Sequence, residues 1–493
     1  MTRKLLFPLL AVVLGGLAFA ALAPRAAEVR AAAAEVAGFG AFPTRNQVSA
    51  EKGLPADWDV KTGRNVLWSA AGGSQSYAGP VVADGKVFIG TNNEGERNPA
   101  IKGDKGVLMA FDAKTGAFLW QAVTDKLSSG RVNDWPQQGV CSTPFVEGKR
   151  LYYVSNQARL VALDTEGLAN GNDGVQGEKY KGPTDADILW EFDLMAELDV
   201  FPHNLAASSP LVVGDLVFIT TANGVDEGHV NIPSPLAPSF IAVDKNTGKL
   251  AWESALPGEK IIHSNWSNAG YGVVKGVPQV VFGGGDGLVY SFEPKTGKLL
   301  WTFDGNPPGS VYKLGAGGTK NDFIATPVVH DDKVWIGMGQ DPEHGEGVGN
   351  FWVIDASQRG DLTGKAAVWH RGGTDYYRTI STAAIHEGIV YAADLSGFLY
   401  ALDEKTGALQ WKHDALAAVW ASPWVADGKV YLGDEDGDLV VLKTGRTRQV
   451  IAEPNLGQAI YATPTAKDGV LYVLARNQLW AFKEGAKVSG PAK

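Results

Sequence analysis

The chain carries one cysteine, Cys141, in 493 residues. An internal disulfide is therefore excluded, and a protein of this length must rest on its hydrophobic core. Cys141 directly precedes an apolar strand pattern, so a packing role is expected of it rather than a reactive thiol. Positive charge is also scarce. Lys and Arg number 44 against 54 Asp and Glu, the formal net charge is −10, and no basic stripe occurs. Nucleic-acid backbones demand clustered cations, which excludes them as partners. Several enzyme motifs are missing as well. There is no Gly-x-Ser-x-Gly elbow and no His-Glu-x-x-His helix. Gly283-Gly-Gly-Asp-Gly287 precedes a strand pattern rather than a helix, which rules out a dinucleotide loop. Asp434-Glu-Asp-Gly-Asp438 lacks EF-hand spacing and reads as a turn. Asn170-Gly-Asn-Asp-Gly174 offers oxygens for Ca²⁺ but also reads first as a turn.

At the N-terminus, Arg3 and Lys4 precede an uncharged run over residues 5–23, and Ala18-Phe19-Ala20 supplies a small-x-small cleavage site. This predicts a signal peptide over 1–20, a tether over 21–64, and a periplasmic or secreted protein. With no Cys near the site, a bacterial lipoprotein anchor is excluded. Uncleaved, the segment is just long enough to span a bilayer, the one route by which a membrane becomes a partner.

Internal repetition dominates the rest. Gly79-Pro-Val-Val-Ala-Asp-Gly-Lys-Val-Phe-Ile-Gly90 recurs as Ser422-Pro-Trp-Val-Ala-Asp-Gly-Lys-Val-Tyr-Leu-Gly433. Related openings start at Ser142, Ser209, Thr326, Thr382 and Thr463, with a looser one at Asn268. Each gives strand, hairpin turn, strand. The second half of the unit, Ala110-Phe-Asp-Ala-Lys-Thr-Gly-Ala-Phe-Leu-Trp120, recurs from Ala242, Ser291 and Ala401. The unit is a four-stranded antiparallel meander, strands A to D, which must stack on neighbours to bury its faces. The openings number eight. The last unit runs out after strand C, and its missing D strand stands at the other terminus as Asn65-Val-Leu-Trp68. The prediction is all-β: an eight-bladed β-propeller over 65–485, closed by an N-terminal strand completing the last blade, followed by a tail over 486–493.

The signature Ala-x-Asp-x-x-Thr-Gly-x-x-x-Trp and its spacing resemble the pyrroloquinoline-quinone (PQQ) repeat, or quinoprotein, superfamily over about residues 65–485. That superfamily includes quinoprotein alcohol dehydrogenases and the propeller lipoprotein of outer-membrane assembly. The missing lipid-anchor Cys and the long loops set this chain apart from the latter. For a dehydrogenase, the resemblance implies PQQ with Ca²⁺ or a lanthanide in the central funnel, an Asp as base, and Trp266 as a stacking floor. One cysteine excludes the adjacent-cysteine disulfide typical of those enzymes. No haem-binding Cys-x-x-Cys-His is present, and the chain is shorter than their usual subunit.

In such a meander the B–C loops and the D–A links share one face, and the long segments fall there. B–C loops lie at 91–106, 223–238 and 339–349, and links at 127–139, 196–207, 258–267, 307–322 and 372–379. Only the blade-2 C–D insertion at 165–187 goes to the opposite face. Elaborated loops on a rigid scaffold carry function. The candidate ligand-binding residues are Asn133, Asp134, Trp135, His203, Asn204, Asp226, Glu227, His229, His263, Trp266, Asp341, Glu343, His344 and Glu346. A metal reading rests on Asp341 and His344, with Zn²⁺ the type of ion if a blade-3 His joins them. The other four His residues (His330, His370, His386 and His413) fall in or beside repeat strands and turns. Two functions stand open. One is a binding module that takes a protein or small-molecule ligand on this face, with its cofactor unknown. The other is a PQQ-dependent dehydrogenase of an alcohol or sugar.

Overall fold

Six of the eight A–B turns take their shape from two consecutive residues with positive φ, and those of blades 2 and 3 from one, Gly148 and Gly214. Asp84 (53°) and Gly85 (69°) form one, and Asp427 (51°) and Gly428 (71°) another, the geometry that matches strand twist in a two-residue hairpin. The repeat signature builds the C–D turn. Asp112 Oδ1 accepts hydrogen bonds from the backbone N–H of Lys114 and Thr115 and from Thr115 Oγ1. Gly116, at φ 72°, lies against the Trp68 ring, where an added Cβ would sit 2.6 Å away. Trp68 Nε1 in turn donates to Ala113 O. The signature Gly and Trp therefore interlock successive blades, and Trp120, Trp252 and Trp411 repeat the docking on Thr165, Pro294 and Gly445.

The computed structural model describes residues 35–488. The expected signal peptide and the end of the tail lie outside them. Eight sheets form one ring of antiparallel blades. Blade 1 comprises Val81–Ala83, Lys86–Asn92, Lys105–Asp112 and Phe118–Asp125 as strands A to D. Blades 2 to 7 follow over 145–193, 211–254, 270–304, 328–377, 384–414 and 424–452. Blade 8 comprises Thr465–Lys467, Val470–Leu474 and Gln478–Lys487 with Arg64–Ala71 as its outer strand, in the register Trp68↔Ala481. Strand alternation splits each core. Val87, Ile89, Val107 and Met109 pack towards blade 8, while Phe88, Leu108 and Ala110 pack towards blade 2.

Three features depart from the bare repeat. The link expected over 372–379 is largely strand, because the blade-5 D strand Ala367–Tyr377 runs through it. Gly360–Asp361 adds a parallel fifth strand outside blade 4. Residues 35–50, the inner part of the expected tether, run along the A strands of every blade. Val36–Ala37 pairs with the blade-2 A strand, and Glu35 meets Asp84 N–H and Lys467. Thr44 O, Asn46 and Gln47 O bond Val329, Ile385 and Val425. Arg45 reaches Ser209, Pro210 and Ala269. This segment, the stopper, spans the A–B side of the ring and touches all eight blades.

The Ser/Thr before each opening Pro has a shared task. Gly79 N–H donates to Thr143 Oγ1, Thr143 N–H to Ser209 Oγ, and Ser209 N–H to Asn268 Oδ1. Asn268 Nδ2 continues to Thr326 Oγ1, Thr326 N–H to Thr382 Oγ1, Thr382 N–H to Ser422 Oγ, and Ser422 N–H to Thr463 Oγ1. The chain of bonds thus circles the axis and stops at Gly79, which has no side chain to accept. Thr382→Val keeps the shape but orphans the buried Thr326 N–H, so a loss of about 1–3 kcal/mol is expected in chemical denaturation. An unchanged midpoint would show that the ring of bonds is dispensable.

Candidate functional site

Above that ring of bonds lies a funnel, a cavity of about 370 Å³ on the loop face. Its wall is built from one repeat position, three residues before each opening Pro or Ala. Tyr77, Cys141, Ala207, Trp266, Ile324, Ile380 and Trp420 line it. The eighth equivalent, Tyr461, stacks on Tyr77 with centroids 5.0 Å apart and meets Trp420 at the same distance. The N-terminal segment lies across the A strands on the other side of the ring of bonds. Trp135, Gln138, Asn204, Leu205, Asp341, Pro342 and Glu343 complete its wall. Of the charged residues described there, both are acids. Burial pushes the Asp341 carboxyl up to about 6, and the charge of Glu343 adds to the effect. Cys141 lines the funnel instead of filling a core, and burial drives its thiol up to about 12, so it stays protonated at neutral pH.

Beside the funnel wall the four loop-face histidines converge. His203 is held in the blade 2–3 link by a contact of 2.8 Å between Nδ1 and Val225 O. His263 Nε2 lies 2.9 Å, and His229 Nε2 3.2 Å, from His203 Nε2. The His344 ring centroid sits 5.1 Å from that of His263 and 6.4 Å from that of His229. Trp266 separates the cluster from the cavity, edge-on to His263 at 5.0 Å. Desolvation lowers the pKa of His203 to about 4 and of His263 to about 2, with the neighbouring imidazoles lowering them further, so both rings are neutral at pH 7.

Local turns aim these rings. Asp226 Oδ1 accepts Val230 N–H, Asp226 Oδ2 takes the Asn231 amide, and Asp226 O accepts His229 N–H. The turn presents His229 at φ 55°. Gly315 packs beneath it, where a Cβ would sit 2.4 Å from His229 Cβ. Asp341 caps the short turn Pro342–His344 by accepting Glu343 N–H. Arg378 donates to His344 O at 2.9 Å.

The other candidates sort plainly. Trp135, Asn204, Trp266, Asp341 and Glu343 line the funnel. Asn133 and Asp134 are buried loop ties, to Pro202 O and to Lys126, Leu127 N–H and Asn156. Glu227 and Glu346 are exposed. The metal pair Asp341 and His344 is not how the ligand atoms gather, since the close group on this face is His203, His229 and His263, and a second, His330, Asp331 and Glu404, lies away from these loops. His370 lies flat on Trp352, as a residue within the blades. In the blade-2 insertion, Asn172 donates to both Glu178 oxygens, which makes that acidic turn a hydrogen-bonded loop. Sequence reading passed over Tyr77, Gln138, Leu205, Ala207, Ile324, Ile380 and Trp420 as funnel residues. The signal that finds most of them is the fixed offset from the opening Pro.

Comparison with known proteins agrees with the repeat. The PQQ_2 family model, described as "Outer membrane protein assembly factor BamB", matches residues 29–134, 61–225, 182–317 and 285–450. BamB of Yersinia pestis is 23% identical over 317 residues, covering 63% of this chain and 68% of that protein. BamB of Legionella pneumophila (strain Paris) is 22% identical over 201 residues, 40% of this chain and less than half (46%) of that protein. The dehydrogenase subunit of the quinone alcohol dehydrogenase of Gluconobacter oxydans is 24% identical over 460 residues, covering 77% of this chain and 55% of that one. Among solved structures, the quinohemoprotein alcohol dehydrogenase of Comamonas testosteroni superposes with a TM-score of 0.62 at 14% identity, covering 92% of this chain and 82% of that one. BamB of Moraxella catarrhalis gives 0.53 at 14%, over 86% and 98%. At these identities the structural likeness is one of fold. With its signature turns, its interlocked Trp residues and a repeat match along most of its length, this chain belongs to the PQQ-repeat β-propeller family.

Proposed function

We propose that this protein is an exported binding module, in the periplasm or secreted, that takes a small organic ligand of neutral or positive charge in the funnel. The carrying observation is the wall itself. Aromatic rings recur at one repeat position around the axis, and the only charged side chains described there are Asp341 and Glu343. Apolar pockets with a few placed polar groups are the usual form of a small-molecule site, and aromatic faces beside a carboxylate favour organic cations. The dehydrogenase relatives favour a PQQ occupant, but the lining does not fit it. PQQ carries three carboxylates, and no described residue of the wall is Lys or Arg.

The test is a tryptophan-fluorescence titration with benzyltrimethylammonium, with phthalate and PQQ plus Ca²⁺ as the anionic arms. Saturable quenching by the cation alone is expected. Trp420→Ala should weaken it at least about tenfold, the effect of losing roughly 1.4 kcal/mol from an aromatic contact. Affinity should fall as pH drops through about 6, because protonation of Asp341 removes its charge. Stoichiometric uptake of PQQ with dye-linked alcohol oxidation would establish the dehydrogenase instead.

A further inference from the structure

Four imidazoles from four separate loops meet behind Trp266, one layer outside the funnel. They come from the blade 2–3 link, the blade-3 B–C loop, the blade 3–4 link and the blade-5 B–C loop. Val225 O only accepts, so the 2.8 Å contact puts the His203 ring proton on Nδ1 and leaves a lone pair on Nε2. Two further Nε2 atoms point at that lone pair, from His263 at 2.9 Å and His229 at 3.2 Å. One N–H is enough to satisfy it, so the second nitrogen is left facing it without a bond to make. His263 Nδ1 and His344 Nε2 are also buried with no hydrogen-bond partner among the described residues. Buried polar atoms are rarely left in that condition.

The arrangement has the dimensions of a coordination sphere. The ligand nitrogens of His203, His229 and His263 all lie within 4.8 Å of one another. A tetrahedral ion bound at 2.0–2.1 Å sets neighbouring imidazole nitrogens roughly 3.3 Å apart, near the two shortest separations. We infer that His203, His229 and His263, with His344 in the fourth position, bind one divalent transition-metal ion of the Zn²⁺ or Cu²⁺ type. An all-nitrogen set suits those ions and not Ca²⁺ or a lanthanide, which take oxygen. The surroundings are those of a built site. Val225 O fixes the His203 tautomer, the Asp226 turn aims His229, and Arg378 holds the backbone of His344. Four protein ligands leave no open position, so the ion ties the loops of blades 3, 4 and 5 together and steadies the back of Trp266. This site stands independently of the funnel's ligand.

The experiment uses the untagged full chain, purified without chelator and analysed by metal mass spectrometry. Chelator-stripped protein is then titrated with Zn²⁺ and Cu²⁺ against a chromophoric chelator. One equivalent per chain is expected, with nitrogen superhyperfine structure in the Cu²⁺ paramagnetic resonance spectrum, no competition from Ca²⁺, and a melting temperature that rises with ion concentration. His203→Ala and His263→Ala should lower affinity at least about 100-fold, beyond the loss usual for outer-shell changes. Should either fail to fold, His344→Gln on its partly exposed loop serves as the second variant, with the same direction of effect. Trp420→Ala should keep the ion while losing the organic cation, which separates this site from the funnel reading. Absence of stoichiometric binding by the parent chain, or binding unchanged in the His variants, would overturn the assignment.

Discussion

A chain beginning at Gly72 is expected to form no closed ring, and to run as aggregates on size-exclusion chromatography without a cooperative melt. Every other blade is one continuous meander. In blade 8 the outer strand Arg64–Ala71 comes from the opposite end of the chain and is held to Gln478–Lys487 by pairing, packing and one side-chain bond, from Gly485 N–H to Asn65 Oδ1. The ring of side-chain hydrogen bonds offers no help there, because it stops at Gly79, next to this seam. Losing the strand bares an edge 10 residues long, together with the apolar surface that covers Val66 and Trp68, now 0% and 7% exposed. Open, long, apolar edges template aggregation. Trp68→Ala tests the same seam in the intact chain. The indole donates to Ala113 O at 3.1 Å, lies under Gly116 and meets Tyr472 at 5.9 Å. Its removal should cost about 3–5 kcal/mol, the range for a large aromatic in a core. A Gly72-initiated chain that stays monomeric and melts like the parent would show that the ring closes elsewhere.

What was legible in the sequence is what local chemistry determines. Asp-Gly turns, the Asp-x-x-Thr-Gly brace and the docking Trp act over a few residues, so each repeat announces its own hairpins. Closure was legible because a strand ending in Leu-Trp stood unclaimed at one terminus while the last unit lacked one. The common face of His203, His229, His263 and His344 follows from topology. Their convergence does not, since it depends on how a turn at Asp226 sets His229 at positive φ and on Gly315 letting that loop approach. Asp341 was expected as a metal ligand, yet its carboxylate caps Glu343 N–H and faces the funnel. The funnel ring escaped because its position mixes aromatic residues (Tyr77, Trp266, Trp420, Tyr461) with Cys141, Ala207, Ile324 and Ile380, so no single residue type marks it. The stopper over 35–50 has no hydrophobic period, because Glu35–Ala37 and Thr44–Gln47 bond to a different blade every residue or two.

Arg45→Met is expected to destabilise the protein by about 3 kcal/mol or more, because several buried carbonyls lose their donors at roughly 1–3 kcal/mol each. The side chain is 1% exposed. No carboxylate partners it; its N–H groups instead donate to the carbonyls of Phe39, Ser209, Pro210 and Ala269 at 2.8–2.9 Å. Burial presses its pKa downward, but a guanidinium keeps its proton at neutral pH. Four carbonyl dipoles thus stand in for a counter-ion and fasten the stopper to the mouths of blades 3 and 4. Methionine fills much of the volume but leaves those carbonyls unsatisfied. Arg45→Lys restores the charge without the fork, so it should recover only part of the loss. Hydrogen exchange gives the site-specific reading. The amides of Val329 and Val425 donate to Thr44 O and Gln47 O in the stopper, and their protection should fall in Arg45→Met while blade-core amides such as Val87 change little. Equal loss of protection throughout would mean that Arg45 supports the ring as a whole, and an unchanged pattern would mean that the stopper is held by its backbone bonds alone.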